Sequence, residues 1–134
     1  MISLRTDSYV TDDGINYYAL FGGRTSTWNG PQHEFSSDCV EGNVPMFASA
    51  KVKLIGITGN TCIKLTYFGQ ESDGSKTWQN KGTVCTDQDN TWFDFTSSFT
   101  LNDQAAYPAQ PPKARRFYWE GPPAGVDVAI DDIR

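Results

Sequence analysis

The chain has 134 residues and a formal net charge of −5, with Lys113, Arg115 and Arg116 as its one basic cluster. That length supports a single domain over 1–134 with a real core, and the charge argues against a nucleic-acid partner, which needs a broad basic surface. No stretch is apolar and long enough to cross a bilayer as a helix, and the opening Met1-Ile2-Ser3-Leu4-Arg5 lacks the apolar run of a secretory signal.

Seven Pro, 12 Gly, four Trp, six Tyr and eight Phe, set among short alternating runs, point to an all-β sandwich or barrel. Residues 2–7 predict a first strand. Thr11-Asp12-Asp13-Gly14 has the composition of a turn, since Asp bonds its own backbone and Gly accepts φ > 0. Residues 17–21 predict the next strand. Gly22-Gly23 then opens a polar stretch, 24–31, before a short pairing segment at 32–35 and a loop over 38–45. The clearest alternation lies at 46–54. Met46, Ala48, Ala50, Val52 and Leu54 form an apolar row there, and Ser49, Lys51 and Lys53 a polar one. A half-buried strand produces that pattern, whereas a helix would scatter the same residues round its axis. Residues 56–60 turn the chain. Residues 62–68 form a strand with Ile63, Leu65 and Tyr67 on one side, and 70–75 a polar loop. Strands at 78–85 and 92–101 flank a polar turn at 86–90. Residues 102–113, rich in Ala, Gln and Pro, read as a long surface loop.

The last stretch reads as strand, tight turn, strand. Gly121-Pro122-Pro123 cannot continue a ladder, because proline has no N–H to donate. In the strand before it, Phe117 and Trp119 share one face and Tyr118 and Glu120 the other. A ring beside a carboxylate suits a flat polar ligand: the ring covers apolar area and the carboxylate accepts hydroxyl hydrogen bonds. After the turn, Val126, Val128 and Ile130 face one way and Asp127, Ala129 and Asp131 the other.

Cys39, Cys62 and Cys85 are odd in number, so at least one is unpaired within the chain. Three buried thiols and a single disulfide are both compatible with the sequence. With no Cys-x-x-Cys and His33 as the sole histidine, a zinc site is not expected. Nor is an enzyme. A glycosidase usually needs two carboxylates flanking the bond, and Glu120 has no evident partner; no Gly-x-Ser-x-Gly elbow occurs.

Three stretches, in order, resemble carbohydrate-binding modules of family 22, with families 4 and 9 as relatives. They are Gly23-Arg24-Thr25-Ser26-Thr27-Trp28-Asn29-Gly30-Pro31, then Phe47-Ala48-Ser49-Ala50-Lys51-Val52-Lys53-Leu54, then Tyr118-Trp119-Glu120-Gly121-Pro122 through Asp131-Asp132. The resemblance covers nearly the whole chain. It implies a jelly-roll β-sandwich of two antiparallel sheets whose concave face holds a polysaccharide, xylan or mixed-linkage β-glucan. It also implies a non-catalytic, secreted module appended to a glycoside hydrolase. By matching position, it assigns ligand contact to Trp28, Trp78, Tyr118, Glu120 and Arg24, with Tyr67 as a further candidate. It further implies a structural calcium, for which Asp131 and Asp132 match one half of the ligand set. The other half, an Asn-Gly-x-Phe-Glu type segment ahead of the first strands, is absent, so the first segment of the family is expected to be missing.

Each assignment has a plainer counterpart. Trp28 and Trp78 sit among polar neighbours, which favours ligand contact over burial. Trp92 and Trp119, beside Phe93, Phe95 and Phe117, are expected in the core. Tyr67 suits core or groove equally, and Arg24 a ligand or a set of loop carbonyls. Glu120 meets ligand hydroxyls or pairs with Arg115 or Arg116 at the surface. The aspartate pair is half a metal site or a solvated strand end. The competing function is a divergent sandwich serving as a protein-interaction or structural domain, since fold alone never fixes function.

Overall fold

The structure, a computed structural model, describes residues 2–3, 8–12, 17–35, 45–70, 74–100 and 114–134. Ten strands form: β1 (Ile2–Ser3), β2 (Ser8–Asp12), β3 (Tyr17–Phe21), β4 (Gln32–Phe35), β5 (Pro45–Ile55), β6 (Thr61–Gln70), β7 (Lys76–Thr86), β8 (Trp92–Thr100), β9 (Ala114–Glu120) and β10 (Asp127–Asp131). They build two antiparallel sheets, ordered β1-β4-β9-β6-β7 and β2-β3-β10-β5-β8. The chain crosses repeatedly from one sheet to the other, and the result is an all-β jelly-roll sandwich. Among the described residues there is no helix.

The alternation read in the sequence fixes which face of each strand is inside. Val52 and Leu54 of β5, with Val128 and Ile130 of β10, face Ile63 and Leu65 of β6 across the core. Trp119 joins them from β9 and stands edge-on to Phe95 of β8, ring centres 6.3 Å apart. The opposite phase of each strand is the outer face.

Several expectations are corrected. Thr11 and Asp12 close β2 rather than forming a turn, paired with Tyr18 and Tyr17. Of the expected first strand, Ile2–Ser3 is described as β1, and residues 4–7 lie outside the described residues, as do 38–44 and 102–113 of the expected loops. Trp92 is not in the core. Phe93 and Phe95 take the inward phase of β8, which turns Trp92 outward on the second sheet. There it meets Tyr18 edge-on at 5.3 Å. The Lys53 ammonium lies 5.0 Å from the Tyr18 ring centre and 4.9 Å from that of Trp92.

Cys62 and Cys85 form a disulfide, directly opposite each other on β6 and β7 with Cα atoms 3.9 Å apart. Cys39 lies outside the described residues.

Gly30 is fixed by packing rather than by backbone angle. It is buried, and a Cβ there would collide with the Trp119 carbonyl oxygen, because the next residue, Pro31, accepts the Trp119 N–H at 3.0 Å. Gly30→Ala is expected to cost about 2 kcal/mol, in the range for overpacking. Urea unfolding measures it, and a loss below about 0.5 kcal/mol would show that this approach relaxes freely.

Candidate functional site

The outer face of the first sheet is built from successive cross-strand rows. Period-two alternation and the observed register place Trp78, Phe68, Arg116 and Glu34 side by side on β7, β6, β9 and β4. The Phe68 ring packs on Trp78 at 5.3 Å, the Arg116 guanidinium lies 4.3 Å from the Phe68 ring centre, and Arg116 is 4.0 Å from Glu34. So Trp78, 58% exposed, stands on a supported stack rather than loosely on the surface. The next row is Asn80, Thr66, Tyr118 and Gln32; the one after it is Thr83, Lys64 and Glu120.

A bulge at Lys81 keeps both rows on this face of β7, since Leu65 pairs Gly82 while Thr66 pairs Asn80. Asn80 supports the bulge by accepting the Gly82 N–H at 2.9 Å and donating to Thr83 Oγ1 at 3.0 Å. An inserted residue otherwise reverses the side-chain phase of a strand relative to its partner.

Glu120 is oriented from β6 rather than by the arginines of its own strand. Thr66 Oγ1 donates to Glu120 Oε1 at 3.0 Å, and Lys64 Nζ lies 3.4 Å away. Tyr118 is buried on the floor between Gln32 and Thr66.

Trp28 comes from the loop between β3 and β4 and is 57% exposed. The Gly121 N–H donates to the Thr27 carbonyl at 2.9 Å, which sets this loop at the Glu120 end of the face. Arg116, in the Trp78 row, precedes Gly121 by five residues, so that row and the point where the Trp28 loop is tied down stand roughly 16 Å apart along the strand direction at about 3.3 Å per residue.

Arg24 is 3% exposed and does not reach the outer face, which corrects its assignment to the ligand. Its guanidinium donates to six carbonyls. Nε meets Asn29 at 2.5 Å, and one terminal nitrogen meets Pro123 at 3.1 Å and Val126 at 2.9 Å. The other meets Ser26 at 3.4 Å, Thr27 at 3.1 Å and Pro122 at 2.9 Å. It clamps the Trp28 loop to the turn after Glu120. Burial pulls its pKa down from the ordinary value and Asp127 pulls it up, yet a guanidinium stays charged in proteins.

Tyr67 is likewise corrected. It is 0% exposed, on the inward phase of β6 with Ile63 and Leu65, and its ring meets Phe117 at 5.5 Å.

Among the described residues the aspartate pair is engaged locally. Asp131 Oδ1 accepts the Asp132 N–H at 2.8 Å, and Asp132 Oδ1 accepts from Arg134 Nε at 3.0 Å. No group of three or more His, Cys, Asp or Glu gathers anywhere among the described residues, whereas calcium takes six to eight oxygens.

Lys64, Thr66 and Phe68 are members of this face that the sequence reading does not single out. The signal was present: once Ile63, Leu65 and Tyr67 take the inner phase, Lys64, Thr66 and Phe68 must share the outer one.

The molecule is thus a jelly-roll sandwich carrying a polar sheet face framed by two exposed tryptophans. No protein-family model matches the sequence, and no curated protein does. Solved structures do match, and the fold is that of family 22 carbohydrate-binding modules. The CBM22-1 xylan-binding domain of Paenibacillus barcinonensis Xyn10C aligns at TM-score 0.73 and 17% identity, over 98% of this chain and 82% of that one. The C-terminal family 22 module of Clostridium thermocellum Xyn10B aligns at 0.76 and 16%, over 98% and 82%. The CBM22-1-GH10 modules of Clostridium thermocellum Xyn10B, complexed with xylohexaose, align at 0.71 and 18%, over 95% of this chain and 24% of that one. Modules of families 16 and 4 match at TM-scores of 0.59 and 0.57. At these identities the likeness carries the fold.

Proposed function

We propose that this protein is a non-catalytic module that binds a β-linked polysaccharide, xylan first and mixed-linkage β-glucan second, on the outer face of the first sheet. The observation that carries the reading is the pair of exposed tryptophans at either end of a floor of hydrogen-bonding side chains. Sugar rings present C–H groups on their faces and hydroxyls at their rims. Trp28 and Trp78 remove those faces from water. Glu120 accepts hydroxyl hydrogen bonds, strengthened by its charge. Thr66 and Lys64 fix its carboxylate in advance, and the sheet beneath is rigid, so little entropy is lost on binding. The neighbour joined to a GH10 module supports a further reading: a module working beside a glycoside hydrolase.

Trp28→Ala and Trp78→Ala are each expected to weaken binding of xylo-oligosaccharides by about thirtyfold, for roughly 2 kcal/mol of ring surface re-exposed. Calorimetric titration of the parent and both variants, with mixed-linkage gluco-oligosaccharides alongside, reads this directly. Saturable binding unchanged in both variants would remove this face from consideration. Failure of the parent to bind either series would favour a protein partner.

A further inference from the structure

Beyond Glu120 the outer face continues into an open pocket of about 350 Å³, lined by Asn60, Thr61, Cys62, Lys64, Thr83 and the turn residues Gly121 and Pro123. That volume is of the size that takes small ligands. Among these lining residues Lys64 is the one ionisable side chain, in a chain of net charge −5. Its side chain is 42% exposed, so the ammonium is held by Glu120 on one side and open on the other. Glu120 itself does not line the pocket.

The neutral groups there point the same way. Thr83 Oγ1 already accepts from Asn80 Nδ2 at 3.0 Å, which leaves its hydroxyl hydrogen to donate. Thr83 stands directly across from Lys64 in the ladder. An ammonium and a hydroxyl donor lining the same pocket favour an anionic acceptor over a neutral hydroxyl. The Cys62–Cys85 disulfide lies one cross-strand row further on and ties together the two strands that carry them.

We infer that this pocket is a subsite for a carboxylate-bearing sugar, a uronate unit attached to the chain held on the tryptophan-framed face, with Lys64 and Thr83 as its reading groups. The inference rests on the polysaccharide reading above and adds an acidic substituent to its ligand. Lys64 then bridges two carboxylates, that of Glu120 and that of the sugar.

The test compares a neutral xylo-oligosaccharide with the same oligosaccharide bearing one glucuronic acid branch. At about 20 mM salt the acidic ligand is expected to bind about fivefold more tightly, an advantage that shrinks near 0.5 M salt. In Lys64→Met the ratio of acidic to neutral affinity falls to about one, whatever happens to the neutral affinity itself, and Thr83→Val lowers it in part. Circular dichroism confirms that both variants fold. Neutral binding with no acidic preference, or a preference untouched by Lys64→Met, would overturn the subsite and leave the polysaccharide reading standing. Binding of neither ligand would overturn both.

Discussion

Arg24→Met is expected to destabilise the fold by about 3–5 kcal/mol, because hydrogen bonds to a charged group contribute roughly 1.5–3 kcal/mol each and stranded buried acceptors cost about 1–3 kcal/mol apiece. Six carbonyls lose a donor at once, of which Ser26, Thr27 and Pro123 keep a backbone N–H from Asn29, Gly121 and Val126. Not all six count fully. Those of Pro122 and Val126 are reached by buried bonds, whereas Ser26, at 3.4 Å, is a weaker contact. Methionine keeps the apolar stem and much of the volume, so the loss reads the guanidinium rather than a cavity. Arg24→Lys should recover little, since an ammonium offers three donors from one point in place of a planar fork. Urea unfolding gives the magnitude, and a loss under about 1 kcal/mol would mean the two segments hold each other without the clamp. Binding provides a second readout. The clamp joins the loop of Trp28 to the turn after Glu120, so variants that stay folded should bind xylo-oligosaccharides more weakly even where every ligand contact is intact.

Arg24 also marks the limit of what the sequence could say. A lone arginine before an exposed tryptophan has the same pattern whether it serves a sugar or six backbone oxygens. The carbonyls it meets at Pro122, Pro123 and Val126 are about a hundred positions away, and carbonyls leave no trace in side-chain identity. The strands were legible because their warrant is local. Apolar alternation at 46–54 and at 62–68 fixes the faces of β5 and β6, and the proline pair at 122–123 ends β9. The outer row Lys64, Thr66 and Phe68 follows from the same alternation once the inner row is chosen. Tyr67 sat on that inner row and is buried for that reason. What alternation could not supply was register. The placement of Glu120 between Thr66 and Lys64, and of Phe68 between Trp78 and Arg116, depends on how β6, β7 and β9 align. The bulge at Lys81, whose one sequence signal is the adjacent Gly82 inside a strand, sets that alignment on the β7 side. Trp92 misled for a related reason. Neighbouring aromatics were read as one cluster, although adjacent residues in a strand point to opposite faces.

The second large effect concerns the disulfide. Replacing both Cys62 and Cys85 by Ala is expected to lower stability by about 3 kcal/mol, the loop-closure value for a crosslink spanning 23 residues. The double substitution is preferable to reduction, because it leaves Cys39 as the sole thiol and prevents exchange. The loss should come mainly from the unfolded chain, since β6 and β7 are already joined by a ladder running from Thr61 and Thr86 to Gln70 and Lys76. That origin makes a second expectation. β7 is the edge strand of the first sheet, with β6 as its one ladder partner, and it carries Trp78. If the crosslink works on the unfolded state, Trp78 keeps its stack on Phe68 and the affinity for a neutral xylo-oligosaccharide stays within about threefold of the parent. A collapse of affinity with stability only mildly reduced would reverse the assignment. The disulfide would then be holding an edge strand in place for its tryptophan, and its contribution would lie in the folded state.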